Sequence, residues 1–593
     1  MSVISELSEI FGSVFESLGA DRSHAQVTYS QRPDLCQFQC NGAMPAAKSA
    51  GKNPRELAQG IVDSINNNEA LSSTIAELSI AGPGFINIDV QPSYLADQLT
   101  KTAASKDFGL NDSADAAKKV LLDFGGPNVA KSLHVGHLRT AIIGESLKRI
   151  YSFAGVNTTS DVHLGDWGLP MGQLIAAIED SNPELPYFDS EFAGEYPNES
   201  PVTIADLEVL YPQASQRCKD DEDFAARAQA ATKELQDGRS GYRALWQHFR
   251  DVSIAELEKN YSRLGVGFDL WLGEATVSDR TPAMIERIAA AGVSKESEGA
   301  VIVDVVTEED TAEIPPLMLL NSRGGLTYAT TDVATIEERV DDLKMNKIVY
   351  IVDNRQALHF EQVFRTSRLA KIAGEDVELI HAPNGTVNGP DGKPLKTRDG
   401  NLPRLEDLIS DASKLALKQL DDNSLATEYE QSERAEIAHK VGLAALTYGE
   451  LHNHRMTNYN FDLERFTQLK GQTGPYLQYV AVRTASNLRK AKEQGLAPGD
   501  FAPWAHESEA ALALQLLKFP EVIDRTREQY APNQLAEYAY ELASSFNTFY
   551  DCCHIVSQTD ETIRGSWLAL VKLTNELLSK VCELLLIPVP ERM

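Results

Sequence analysis

Along this chain, stretches with apolar residues every three or four positions alternate with short unbroken apolar runs and polar breaks rich in Gly and Pro. Ser5 to Leu18 has helical spacing and predicts a helix. A second begins at Asn53-Pro54, a capping residue followed by a first-turn proline, with Leu57, Ile61, Val62 and Ile65 along one face. Thr74 to Val90 reads as strand, turn, strand, with Gly82, Pro83 and Gly84 turning the chain. Val120 to Phe124 is apolar but for Asp123, as in a buried parallel strand. Gly125, Gly126 and Pro127 end it, and Leu138, Ile142, Leu147 and Ile150 then return to helical spacing. Strand, glycine turn and helix make the unit with which open α/β sheets present a ligand at a strand's C-terminal edge.

Thr158 to Val162, Ile302 to Val306, Leu317 to Leu320 and Ile348 to Val352 predict further strands. Residues 181 to 215 are acidic and proline-rich, and read as an irregular inserted loop or small subdomain. Residues 220 to 264 are strongly helical in pattern. From about 430 onward the pattern is helical throughout, with one Gly/Pro break at 494 to 507, as in an α-bundle.

With 593 residues the chain is too long for one core. The predicted fold is multidomain. An α+β N-terminal domain covers 1–115, with a polar linker over 101–118. An α/β Rossmann-type domain covers 116–430, with an insertion at about 185–300. An all-α helical domain covers 431–593. A net charge of -31 opposes blanket adhesion to nucleic acid, so RNA binding would need a local basic track. The six cysteines include no C-x-x-C and no zinc spacing, so no structural zinc is expected and a reducing cytoplasm suits the chain. The N-terminal segment is amphipathic but acidic, unlike a signal or transit peptide. No apolar run approaches the roughly 18 residues of a membrane span.

The candidate chemistry centres on His134, Gly136 and His137 at the start of the helix after the first strand. Two imidazoles at a positive helix end suit a polyphosphate, and Gly136 leaves room for a flat base against the backbone. An isolated H-x-G-H fits capping or solvated histidines better. In the string PNVAKSLHVGHLRT it resembles the class I aminoacyl-tRNA synthetases, and the arginyl-tRNA synthetases in particular. QCNGAMPAAKSAGKNPREL and IAGPGFINI are similar to the additional N-terminal domain of that family, which touches the outer corner of the tRNA. HLGDWG and FDLWLGEA resemble segments beside its active site and amino-acid pocket. KPLKTR resembles its lysine-rich second nucleotide loop, with Lys396 in the place of the second lysine and Lys393 and Arg398 beside it. GQTGPYLQYVAVRTASNLRKA and LASSFNTFYDCCHIV resemble its anticodon-binding helices.

That resemblance implies an ATP-dependent arginine–tRNA ligase that forms arginyl-adenylate and pyrophosphate, then transfers arginine to the terminal ribose of tRNA and releases AMP. It implies that His134, Gly136, His137, Lys393 and Lys396 hold ATP, and that Lys131 and Lys396 neutralise charge in the transition state. Asp123, Tyr328 and Asp332 would face the substrate guanidinium, while Asn128 and Gln356 hold its α-amino end. Mg²⁺ would come with ATP through phosphates and water, with no dedicated protein cage. Tyr476, Gln478, Tyr479 and Arg483 place aromatic and basic groups on adjacent turns, suited either to unpaired bases and phosphate or to a core stripe. His163 is expected to position or pack. The partners implied are tRNA, L-arginine and ATP, with no membrane, and the family expectation is a monomer.

Overall fold

The computed structural model describes residues 2–110, 113–389, 392, 403–504 and 506–593. Lys393, Lys396 and Arg398 lie outside the described residues. The chain divides into two compact units. One joins the N-terminal 113 residues to Leu420–Ala444 and Gln468–Met593; the other comprises Ala114–Gln419 and Ala445–Thr467.

In the first unit, strands β1 (Val27–Tyr29), β2 (Phe38–Cys40), β3 (Ile75–Ala81) and β4 (Phe85–Val90) form an antiparallel sheet in the order β1-β2-β4-β3. The predicted hairpin is β3 and β4. β1 and β2 have three residues each, too few to carry a period. The helix Val3–Ser17 buries Leu7, Phe11 and Phe15, and the helix Pro54–Asn66 buries Leu57, Ile61 and Ile65. Asn53 caps the latter by accepting the Arg55 amide. Long C-terminal helices, Gly474–Glu493, Asn533–Cys552 and Glu561–Leu584, complete the unit.

The second unit contains β5 (Lys119–Phe124), β6 (Asn157–Asp161), a small antiparallel sheet of β7 (Ser294–Ser297), β8 (Ala300–Val303) and β9 (Leu317–Leu320), then β10 (Lys347–Ile351) and β11 (Glu378–His381). β11-β10-β5-β6 is a parallel sheet. Its two central strands, β5 and β10, pair in register from Lys347↔Val120 to Ile351↔Phe124. They are far apart in sequence, and adjacency of such strands marks the switch point at which open α/β sheets bind ligands. The residues of β10 are all buried, which explains their unbroken apolar run.

Two expectations need correction. The stretch read as irregular over 181–215 becomes helical at Ile204, in a helix running to Asp220. Thr203 and Asp206 form a reciprocal capping box at its start, and Pro212, one of the prolines of that stretch, is accommodated inside it. The chain is also not helical throughout after 430. Tyr459–Asn460 forms β13, parallel to β12 (Val387–Asn388), in a segment that groups with the α/β sheet. Two-residue strands leave no periodic signal in sequence.

Candidate active site

His134 is the N-cap of the helix Val135–Phe153, which follows β5. Its Nδ1 accepts the Gly136 amide at 3.0 Å, and the His137 Nδ1 accepts the His134 amide at 3.2 Å. Both Nδ1 atoms are therefore acceptors, which leaves Nε2 as the protonated nitrogen of each neutral ring. The rings lie 4.0 Å apart. Burial holds both imidazoles below the usual histidine range, that of His137 at about 3, and nearby Lys131 adds to the effect. At neutral pH the pair is two N–H donors, suited to phosphate oxygens and unsuited to abstracting protons. A Cβ on Gly136 would lie 2.8 Å from the His134 ring, so this glycine keeps the imidazole in place.

The turn is fixed by a short two-stranded contact. His134 bridges Arg404 antiparallel, with Val135 N–H to Pro403 O at 3.1 Å and Leu405 N–H to Leu133 O at 3.2 Å. Lys131 stands beside it with Nζ 4.6 Å from the centre of the Tyr211 ring. Arg139, two residues beyond His137, is buried and donates to the carbonyls of Thr457 (2.8 Å), His454 (3.2 Å) and Thr386 (3.4 Å). Its guanidinium ties the histidine helix to the segment carrying β13.

Asp123 ends β5 in company the sequence does not reveal. Its Oδ2 accepts from the buried Arg339 at 2.6 Å, and the same guanidinium nitrogen reaches Asp161 Oδ2 at 2.7 Å. One oxygen of the acid expected to face a substrate guanidinium is thus already held by an internal one, and its side chain is only 9% exposed. Aspartate's short side chain keeps the carboxylate near the strand, within reach of Arg339. Asp123, Asp161 and His163 could in principle share a metal ion, but Arg339 supplies the positive charge between the two acids. His163 has φ 40°, in the left-handed region, and its ring nitrogens meet no hydrogen-bond partner among the described residues.

The helix Tyr328–Asp341 places Tyr328 and Asp332 one turn apart, as expected. Both meet His359, whose ring lies 4.7 Å from that of Tyr328 and whose Nε2 is 2.5 Å from Asp332 Oδ2. Tyr328 is 64% exposed, so its ring is open to a ligand. Asn128 and Gln356 are exposed as well, and Asn128 bridges Gly165 across from the H-L-G-D-W-G segment. Glu274 joins this acidic group. Burial pushes its carboxyl up to about 7, with His163 opposing and Asp332 and Asp166 reinforcing the shift.

In the helical unit, the four residues expected to touch RNA divide. Tyr479 is exposed, and Tyr476 and Arg483 are partly so, both held by Asn547 at 2.9 and 3.1 Å. Arg483 also covers the Tyr550 ring at 4.5 Å. Gln478 does not belong with them. It is fully buried, and its amide donates to the carbonyls of Lys440 and Pro588. It sits on the inward face of the helix, where an uncompensated amide would be costly.

Comparison with known proteins identifies the family. Residues 98–463 match the family model described as tRNA synthetases class I (R), catalytic domain; residues 477–593 match the DALR anticodon binding domain, and 2–90 the arginyl tRNA synthetase N terminal domain. Curated relatives named arginine–tRNA ligase include one from Hyphomonas neptunium, 48% identical over 594 residues, and one from Alkaliphilus oremlandii, 46% identical over 592, each covering 100% of both chains. The chain belongs to the arginyl-tRNA synthetases. Arginyl-tRNA synthetase from Plasmodium falciparum superposes with a TM-score of 0.81 at 25% identity, covering 100% of this chain and 99% of that one. The Thermus thermophilus arginyl-tRNA synthetase shares the fold, with a TM-score of 0.77 at 20% identity over 100% of each chain.

Within this arginyl-tRNA synthetase, sequence reasoning missed Arg339, Glu274 and the pairing of His359 with Asp332. His359 had a visible signal as a lone histidine after a buried strand. Arg339 had none, because a charged residue in a helix reads as solvated until the sheet buries it.

Proposed function

We propose that the site between β5 and β10 activates arginine with ATP and then esterifies it to the terminal ribose of its tRNA. The reading is carried by two neutral N–H-donating histidines at the helix start after β5, in a unit that also holds an exposed Tyr328 and the Asp332 carboxylate. In the first step a carboxylate oxygen of arginine attacks the α-phosphorus of ATP, the bond to the β-phosphate oxygen breaks, and pyrophosphate leaves. His134 and His137 donate Nε2–H to phosphate oxygens. Lys131, beside the turn, neutralises the charge that builds there, and Lys393 and Lys396 share that work. Mg²⁺ enters with the nucleotide; the Asp123–Asp161–His163 group does not suit it, because Arg339 already fills the gap between the carboxylates.

Asp332 and Tyr328 receive the substrate guanidinium: the carboxylate offers charge-assisted bonds and the ring a face. Asp123 contributes the edge that Arg339 leaves open. Asn128 and Gln356, both exposed, hold the α-amino end. In the second step the ribose hydroxyl attacks the adenylate carbonyl and AMP leaves. The domains of residues 1–115 and 431–593 carry the tRNA contacts, apart from 445–467, which groups with the catalytic α/β unit. Tyr476, Tyr479 and Arg483, with a cavity of about 550 Å³ lined by Asn487, Lys490, Tyr550 and His554, suit unpaired bases. The working unit is a cytoplasmic monomer; its six cysteines are all free, as a reducing compartment favours.

Arginine-dependent exchange of pyrophosphate into ATP, measured with and without tRNA, tests this. Lys131→Ala should slow exchange about a hundredfold with arginine KM little changed. Undiminished exchange in that variant would remove Lys131 from the mechanism.

A further inference from the structure

The inserted helix Ile204–Asp220 reaches the histidine turn with two side chains three positions apart, hence on one face. Glu208 accepts hydrogen bonds from the Ser132 hydroxyl through Oε1 and from the Arg404 guanidinium through Oε2, the latter at 2.9 Å. Tyr211 carries the Lys131 ammonium on its ring. Ser132 and Arg404 stand on the two strands of the contact that fixes His134. One carboxylate thus pins a side chain from each strand, and the next turn of the same helix holds the lysine beside them.

The support behind this bracket is rigid. The Thr203–Asp206 capping box fixes the start of the helix. Leu207 is fully buried in a cluster with Met171, Leu174, Leu235 and Phe249, and Tyr211 packs against that cluster. Glu208 itself is only 18% exposed, so its bonds are partly shielded from water. The Thr203 box already stabilises the helix, so Glu208 is not needed to form it. Its two partners instead both belong to the turn that presents His134 and Lys131.

We propose that Glu208 is a positioning residue for the adenylation step: it clamps the Ser132 and Arg404 strands so that His134 faces the phosphates, while Tyr211 sets Lys131 beside it. The proposal rests on the ATP-binding role assigned above to the histidine turn. It makes the inserted helical segment part of the nucleotide site without direct contact with ATP. Recognition of arginine, which lies with Tyr328 and Asp332, is outside its reach.

The test is steady-state pyrophosphate exchange in the presence of tRNA by the full-length enzyme with Glu208→Gln and Arg404→Gln, read as separate KM values for ATP and arginine. Glu208→Gln, which weakens both bonds, should raise ATP KM about tenfold, and Arg404→Gln, whose exposed guanidinium makes a screened bond, about threefold, each with arginine KM within about twofold. Arg404 is 64% exposed, so Arg404→Gln will fold even if the glutamate variant does not. The exchanged pair, Glu208→Arg with Arg404→Glu, should recover most of the lost ATP affinity, which a merely structural role would not produce. Unchanged ATP KM in Arg404→Gln, equal loss for both substrates, or no recovery in the exchanged pair would overturn the proposal. Absence of arginine-dependent exchange in the unaltered enzyme with tRNA present would instead overturn the functional reading on which it rests.

Discussion

Replacing Asp332 by Asn removes one charge from the proposed arginine pocket and almost no volume. A guanidinium at about 4 Å from a carboxylate gains about 4 kcal/mol at the effective dielectric of partly buried sites. Asp332 is 28% exposed and already shares a hydrogen bond with His359, so screening and competition reduce the net to about 2–3 kcal/mol. That corresponds to a loss of about 30- to 150-fold in kcat/KM for arginine. The assay is pyrophosphate exchange in the presence of tRNA with arginine and with citrulline, its neutral urea isostere. The unaltered enzyme should reject citrulline strongly, whereas Asp332→Asn should lose arginine activity while citrulline activity stays level, compressing the ratio. A loss below about threefold for arginine, or an equal loss for both substrates, would refute the placement of Asp332 against the guanidinium.

Three further outcomes follow from the same structure. Gly136→Ala puts a methyl 2.8 Å from the His134 ring; it should cut exchange about tenfold through ATP KM and lower Tm slightly, since displacing the His134 cap outweighs alanine's helix preference. Arg139→Met strips a buried cation from three carbonyls and leaves Glu450 buried without it, which should cost about 3–5 kcal/mol in denaturant titrations. Burial raises the Glu274 carboxyl to about 7, so its ionised form, which attracts a cationic substrate, grows as pH rises through that value. Arginine KM should therefore fall across pH 6 to 8, and Glu274→Gln should flatten the profile. For stability the sign is opposite. The folded value lies above the ordinary carboxylate one, so the neutral Glu274 favours the fold at low pH, and that contribution is lost as pH rises from about 4.5 to 7.

Much of the architecture was legible from periodicity. The β5 run, the glycine turn and the helix after it share one local pattern, and Asn53-Pro54 announced its helix by capping chemistry alone. The elements that were lost were short or disguised: β1 and β2 with three residues, β12 and β13 with two, and a helix interrupted in sequence by Pro212. The candidate site was legible where a motif sits on a local turn, as at His134 and His137. It was illegible where partners come from distant chain positions. Arg339 reaches Asp123 from 216 residues away, and Glu208 reaches Arg404 from 196. Gln478 shows the converse failure: its neighbours Tyr476 and Tyr479 lie on more open faces of the helix, while helical geometry turns it inward.

The account's central claim is specificity for arginine in charging tRNA. Attachment of each of the twenty radiolabelled amino acids to bulk tRNA, with ATP and Mg²⁺, tests it most directly. Arginine alone should become acid-precipitable, and Asp332→Asn should suppress that signal. Charging with any other amino acid, or none with arginine, would contradict the account.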